Sequence, residues 1–291
     1  MNNRCSLTVA LMSNLLLQKP NAWPVAGFGR GQLYAAVFAL LIVNAIAAKV
    51  GLAVNGLGLG DALVYGLGLS WAFWLSFALC IRLALTGEDA AARSIDLWAA
   101  GACVAAALVP LSPASSLAAT ALGLFLALDR RQDPRLRAAA MILVAVAVQL
   151  LWSRLVMLVF ITPIASLDAH LVSLIVGSPV HGNVVAFVHG PGTMSILGAC
   201  TSVQNASVAL MLFVAIVRTF RPLPVASEAG YFVAAFLSVV LINVARLALM
   251  AQNLEMFHLV HGDTGESVVN MVITLNGLVW AAMSVRREIF R

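Results

Sequence analysis

Long apolar runs recur from one end of this chain to the other, and that pattern decides most of what it can become. A helix of about 20 mostly apolar residues spans the hydrocarbon of a bilayer, because in lipid each backbone N–H and C=O must be satisfied within the segment. Eight stretches of the 291 residues qualify, at approximately 33–54, 62–85, 95–111, 114–128, 138–160, 201–217, 231–250 and 267–285. With 62% hydrophobic and 10% charged residues and a mean hydropathy of +0.98, no polar stretch remains that could build a soluble domain. The expectation is one integral membrane domain over residues 1–291, an all-α polytopic bundle of about eight transmembrane helices. The apolar part of residues 1–18 is interrupted by Ser13 and Asn14 and lacks an A-x-A-like cleavage site, so it reads as a cytoplasmic or interfacial leader. The turn Pro110-Leu111-Ser112-Pro113 makes the third and fourth runs a tight hairpin; whether that pair crosses or only dips in, the orientation of everything after it is the same.

Basic residues near short loops stay on the cytoplasmic side of a membrane. With the N-terminus inside, all of the seventeen Lys and Arg fall in inner segments except Lys49, Arg154 and Arg246. Both termini are therefore expected inside, and the net charge of +5 is explained by orientation; the Arg130-Arg131 to Arg137 cluster is an inner anchor and nucleic acid is excluded as a partner. The two long outer connections, 161–200 and 251–266, contain no Lys or Arg and hold every histidine: His170, His181, His189, His258 and His261. Ile164, Leu167, Leu171, Leu174 and Ile175 form one helical stripe, which suggests an interfacial helix. Turn residues flank the extended-looking segment 183–188 and suggest a small β-hairpin that leads to Cys200. The repeated glycines at Gly56, Gly58, Gly60, Gly66 and Gly68 either break helices or serve close helix packing, and close packing is the better explanation.

Topology separates the four cysteines. Cys5 lies inside, Cys80 and Cys103 lie within spans, and Cys200 alone faces outward, at the mouth of the sixth span. Arg246 stands four residues inside the outer end of the seventh span, where a charge at the helix centre costs up to about 3 kcal/mol and calls for a partner or a task. His261 precedes the eighth span in a short outer loop. Taken singly, each has an ordinary alternative: an inert buried thiol, a snorkelling anchor and a solvated loop histidine. Arg154, near the outer end of the fifth span, either binds a substrate carboxylate or backbone or snorkels.

The three together, however, resemble the exosortase/archaeosortase family of membrane-embedded cysteine transpeptidases. The resemblance covers roughly the last 110 residues and rests on Gly198-Ala199-Cys200-Thr201-Ser202, on Asn243-Val244-Ala245-Arg246-Leu247, and on His261-Gly262-Asp263-Thr264-Gly265. Where the family commonly has Ser-Gly after the cysteine, Thr201-Ser202 stands here. The resemblance implies a site facing the exterior of a bacterial cytoplasmic membrane, beneath the hairpin and interfacial helix. Cys200 would attack a peptide carbonyl in the C-terminal sorting signal of a secreted protein, a short motif followed by a transmembrane helix and a basic tail. His261 would shuttle the proton, Arg246 would hold the thiolate or oxyanion, and Asn243, one turn before Arg246, would orient it. The acyl group would pass to an amine of a lipid or surface component, or to water, and no cofactor or metal is needed. Two other classes remain: a metal or haem protein using the outer histidines, and a transporter or structural membrane subunit. The first lacks H-E-x-x-H and C-x-x-C-H patterns, and the second lacks an internal repeat or an acidic residue deep in a span.

Overall fold

The computed structural model describes residues 29–87, 90–109 and 111–289; the leader read at residues 1–18, with Cys5, lies outside them. The first apolar run forms α1 (Arg30–Leu57). Two short helical pieces follow, α2 (Leu59–Val64) and a 3-10 turn at Gly66–Gly68, and then α3 (Trp71–Leu85), α4 (Ser94–Leu108) and α5 (Ser112–Leu128). Next, α6 (Pro134–Ala147) runs through a π-helical turn (Val148–Trp152) into α7 (Ser153–Val176). A three-stranded antiparallel sheet, β1 (Val180–His181), β2 (Val184–Ala186) and β3 (Thr193–Ser195), leads to a 3-10 turn at Gly198–Cys200. The chain finishes with α8 (Ser202–Phe220), α9 (Ser227–Met250), α10 (Leu254–His261), α11 (Asp263–Ser284) and α12 (Arg286–Ile289). Among the described residues, five helices are long and apolar enough to cross a membrane: α1, the 43-residue helix Pro134–Val176, α8, α9 and α11. This is an α-helical membrane protein. Its outward side chains match that class, since Trp98, Leu158 and Leu174 are each more than three-quarters exposed on apolar helices.

The runs expected at 95–111 and 114–128 form helices of only 15 and 17 residues, and the run expected at 62–85 is broken. The break corrects the reading of the glycines. Gly58, Gly66 and Gly68 take φ of +80°, +65° and +74°, with Leu67 at +57° between them, and nothing lies within 4 Å of where a Cβ would stand on Gly56, Gly58 or Gly60. Gly58, Gly66 and Gly68 interrupt helices, because only glycine visits that backbone region without steric cost. Close packing uses other glycines: a Cβ on Gly123 would lie 2.6 Å from Val144 Cγ2, so α5 and α6 touch there.

The expected fifth span and interfacial helix are one continuous element. Proline at position 163 removes an N–H and crowds the preceding turn, and the helix bends at Phe160 (φ −114°, ψ 20°) without stopping. At about 1.5 Å per residue, 43 residues reach well beyond a hydrocarbon core about 30 Å thick, so one end of this helix continues past it.

Two main clusters organise the interior. The larger packs α1, α3, α5 and α6 around Tyr34, Phe38, Phe73 and Leu143, with Met211 and Leu212 of α8 against them. Buried polar contacts add specificity: Asn44 on α1 donates to the Ala107 carbonyl and to Ser115, and Asp96 accepts from Arg30, Tyr34 and Arg93. The second cluster sits at one end of the bundle, where Ala165, Ala169 and Val172 of α7, Val185 of β2 and Met194 of β3 meet Val244, Leu247 and Ala248 of α9. Cys200 is a member of it.

Candidate active site

Four elements converge on Cys200. Its backbone lies in the 3-10 turn between β3 and α8, and the side chain is buried to 8% exposure. The turn is held from both sides. On one, the Asp168 carboxylate of α7 accepts from the Ser202 backbone N–H (2.9 Å) and from its hydroxyl (2.8 Å), which ties α7 to the first turn of α8. On the other, Asn243 of α9, fully buried, donates to the Cys200 carbonyl (2.9 Å) and to the Ser202 hydroxyl (3.2 Å), while its own oxygen accepts from Asn205 (2.7 Å).

This assigns Asn243 a different partner from the expected one: it positions the backbone of Cys200 and makes no hydrogen bond to Arg246. The geometry also shows what Ser202 does where glycine would be usual. It sits at the start of α8 with ordinary helical backbone and uses its hydroxyl in the bonds just described, so no left-handed conformation is needed there.

His261 closes the last turn of α10, a helix rather than the expected loop, and its Nδ1 stands 4.0 Å from Cys200 Sγ. That distance is long for a thiol hydrogen bond and short enough to close with a small movement of either side chain. Two features place the ring. It stacks on Phe257 (centroids 5.1 Å apart, planes 27°), and Phe257 meets Phe187 of the sheet edge-on at 6.4 Å. The turn into α11 is tight as well, since a Cβ on Gly265 would lie 2.5 Å from the carbonyl oxygens of Leu259 and Val260. That is a physical reason for glycine four residues after the histidine. Backbone bonds from Val188 to Ala251 (2.9 Å) and from His189 to Gln252 (2.8 Å) fasten the sheet to the end of α9.

Arg246 is buried to 7% exposure, and its charge is felt at the Cys200 sulfur. Its Nε has no hydrogen-bond partner, and among the described residues it forms no ion pair. The backbone N–H groups of the turn are occupied: Cys200 donates to Leu197, Thr201 to Gly198 and Ser202 to Asp168. A negative charge forming beside Cys200 would thus find no free amide donor at residues 200–202, whereas Arg246 Nε is a buried N–H without a partner.

Burial pushes the Cys200 thiol above its ordinary pKa; Arg246 pulls it down, and the carboxylate of Glu266 on α11 adds to the rise. Burial wins, so the resting group is a protonated thiol, and activation needs a base as well as a cation. Asp168 and Phe257 were not singled out from sequence. In the sequence Asp168 is an acidic residue next to Leu167 of the apolar stripe, and Phe257 has no feature that marks a role.

Arg154, expected as a supporting residue, is not in this cluster; it is exposed and lines a separate cavity with Lys49. The histidines do not gather either, since His170 Nδ1 contacts the Ser166 carbonyl of its own helix (2.6 Å), and among the described residues no three His, Cys, Asp or Glu side chains group closely enough to hold a metal. The chain matches no family model, no curated protein and no solved structure.

Proposed function

We propose that this chain is a cysteine transpeptidase or endopeptidase of the exosortase/archaeosortase kind, acting on the C-terminal sorting signals of secreted proteins. The observation that carries this reading is the approach of Cys200 Sγ to His261 Nδ1 at 4.0 Å beside a buried arginine with an unused donor. In the reaction, Cys200 Sγ bonds to the carbonyl carbon of the scissile peptide as its proton passes to His261. Arg246 donates to the oxyanion so formed. Collapse breaks the C–N bond, His261 returns the proton to the departing amine, and a thioester to Cys200 remains. An acceptor amine, or water, then attacks the thioester carbon, gives a proton to His261 and releases the thiol.

The bundle places these groups at one end, where a substrate helix lying in the bilayer would bring its extramembrane motif. In this reading the chain crosses a bacterial cytoplasmic membrane about eight times, with α3, α4 and α5 as short spans, both termini inside and Cys200 outside. Sequence order, with the N-x-x-R and H-G-D-T-G contexts, supports the family resemblance. A test is to express the protein with a secreted reporter carrying a motif, a C-terminal apolar helix and a basic tail. Cys200→Ala should abolish processing with the membrane abundance of the protein unchanged, and the wild type should yield a reporter fragment attached to Cys200 by thioester, identified by mass spectrometry. Processing by the Cys200→Ala variant would overturn the assignment.

A further inference from the structure

A second polar site lies apart from Cys200 and stands independently of the reading above. Between α1, the first turn of α5 and the π-helical turn leading into α7 there is a cavity of about 220 Å³. Lys49 and Arg154 both line it, close enough for the two charges to act on one another, and no carboxylate is among its lining residues. Neither side chain has an ion pair or a hydrogen bond to any described residue. Two like charges brought together on apolar helices repel each other, and an anion held between them would offset that repulsion.

The remaining lining narrows the kind of anion. Ser112, at the start of α5, lines the same cavity as the cations at the positive end of that helix, while Ser116 one turn on already donates its hydroxyl to the Ser112 carbonyl. Leu151 and Leu52 make an apolar floor and rim, Leu52 being 74% exposed. A forked guanidinium, an ammonium and the Ser112 hydroxyl around one small space suit a tetrahedral group with several acceptor oxygens and up to two negative charges better than a flat, singly charged carboxylate.

We propose that the Lys49–Arg154 cavity is a binding site for a phosphate group, as a free anion or in a lipid headgroup whose chains run past Leu52. Titration calorimetry of the full-length protein in a zwitterionic detergent, with inorganic phosphate and separately with dihexanoyl phosphatidylglycerol, should show saturable binding of at least one probe. Binding of the lipid alone identifies a headgroup, and binding of both identifies the phosphate group itself as sufficient. Lys49→Gln with Arg154→Gln should weaken binding at least about tenfold, as expected for loss of two charge-assisted contacts. The charge-preserving Lys49→Arg variant should bind within about threefold of wild type, a smaller loss than removing a charge-assisted contact causes, which separates loss of ligand from loss of fold. The proposal is overturned if neither probe binds, if acetate binds as tightly as phosphate, if the double Gln variant binds like wild type, or if Lys49→Arg loses binding too.

Discussion

At the scale of single residues, two opposing influences meet on one sulfur atom. Burial raises the Cys200 pKa and outweighs the attraction of Arg246, while Glu266 reinforces burial. Since alkylation follows the thiolate fraction, the rate at Cys200 should climb about tenfold per pH unit and level off at a higher pH than for an exposed cysteine. Removing the cation with Arg246→Gln should move that levelling point further up and slow the reaction at neutral pH. Glu266→Gln should move it down and speed the reaction. The measurement is the pH profile of iodoacetamide incorporation into the peptide bearing Cys200, read by mass spectrometry. Shifts of the same sign in both variants would show that the charges do not act as described. Resting protonation also fits a pairing in which His261, at 4.0 Å, takes the proton only as substrate arrives. From sequence, Cys200, Arg246 and His261 could be chosen by residue type and order, but not the state of the thiol, which depends on how much surrounding protein excludes water.

At the scale of elements, the site depends on how α7, α8 and α9 are pinned together. Asp168, 3% exposed, holds the first turn of α8 through two bonds to Ser202, and Asn243 holds the same turn from α9. Replacing Asp168 with Ala leaves the Ser202 donors without their carboxylate, and Ser202→Ala removes one of those two bonds together with the hydroxyl that accepts from Asn243. Each change should cost about 1.5–3 kcal/mol, typical of hydrogen bonds to a charged group. In the double variant the cost should fall well short of the sum, because both changes remove the same bond. Thermal unfolding of the detergent-solubilised protein checks this, and strict additivity would show that the residues do not act as a pair. The apolar stripe was legible at this scale, and so was the hairpin region, which forms a three-stranded sheet. The continuity of α6 and α7 was not: Pro163 marks a bend, and whether a helix stops or bends at proline is decided by what packs on either side of it. The glycines at positions 58, 66 and 68 show the same ambiguity, because a small residue serves close contact and positive φ equally well and only the backbone shows which.

At the scale of the whole molecule, the antiparallel packing of α6, α8, α9 and α11 brings Cys200, Arg246 and His261 to one end, with Arg218 and Arg221 at the other, paired with Glu228 and Glu288. Basic residues should therefore mark the cytoplasmic face and the cysteine the outer one. Alkaline phosphatase inserted at the exposed turn Gly190 should be active in intact cells, and a fluorescent protein fused after Arg291 should fluoresce inside. Activity of both reporters from the same side would refute the orientation. Composition and apolar spacing alone determined that the chain is an α-helical membrane protein, because a bilayer imposes its length and polarity on any segment that crosses it. Order along the chain also singled out the three polar residues. Tertiary structure decided the rest: that Asn243 serves the cysteine backbone, that a buried carboxylate secures the turn, that a phenylalanine seats the imidazole, and that Lys49 and Arg154 share a cavity. Each of these joins residues dozens to a hundred positions apart, or depends on the direction in which a side chain leaves its helix. Such distances are set by how helices pack against each other, and a one-dimensional pattern of hydrophobicity carries no record of them.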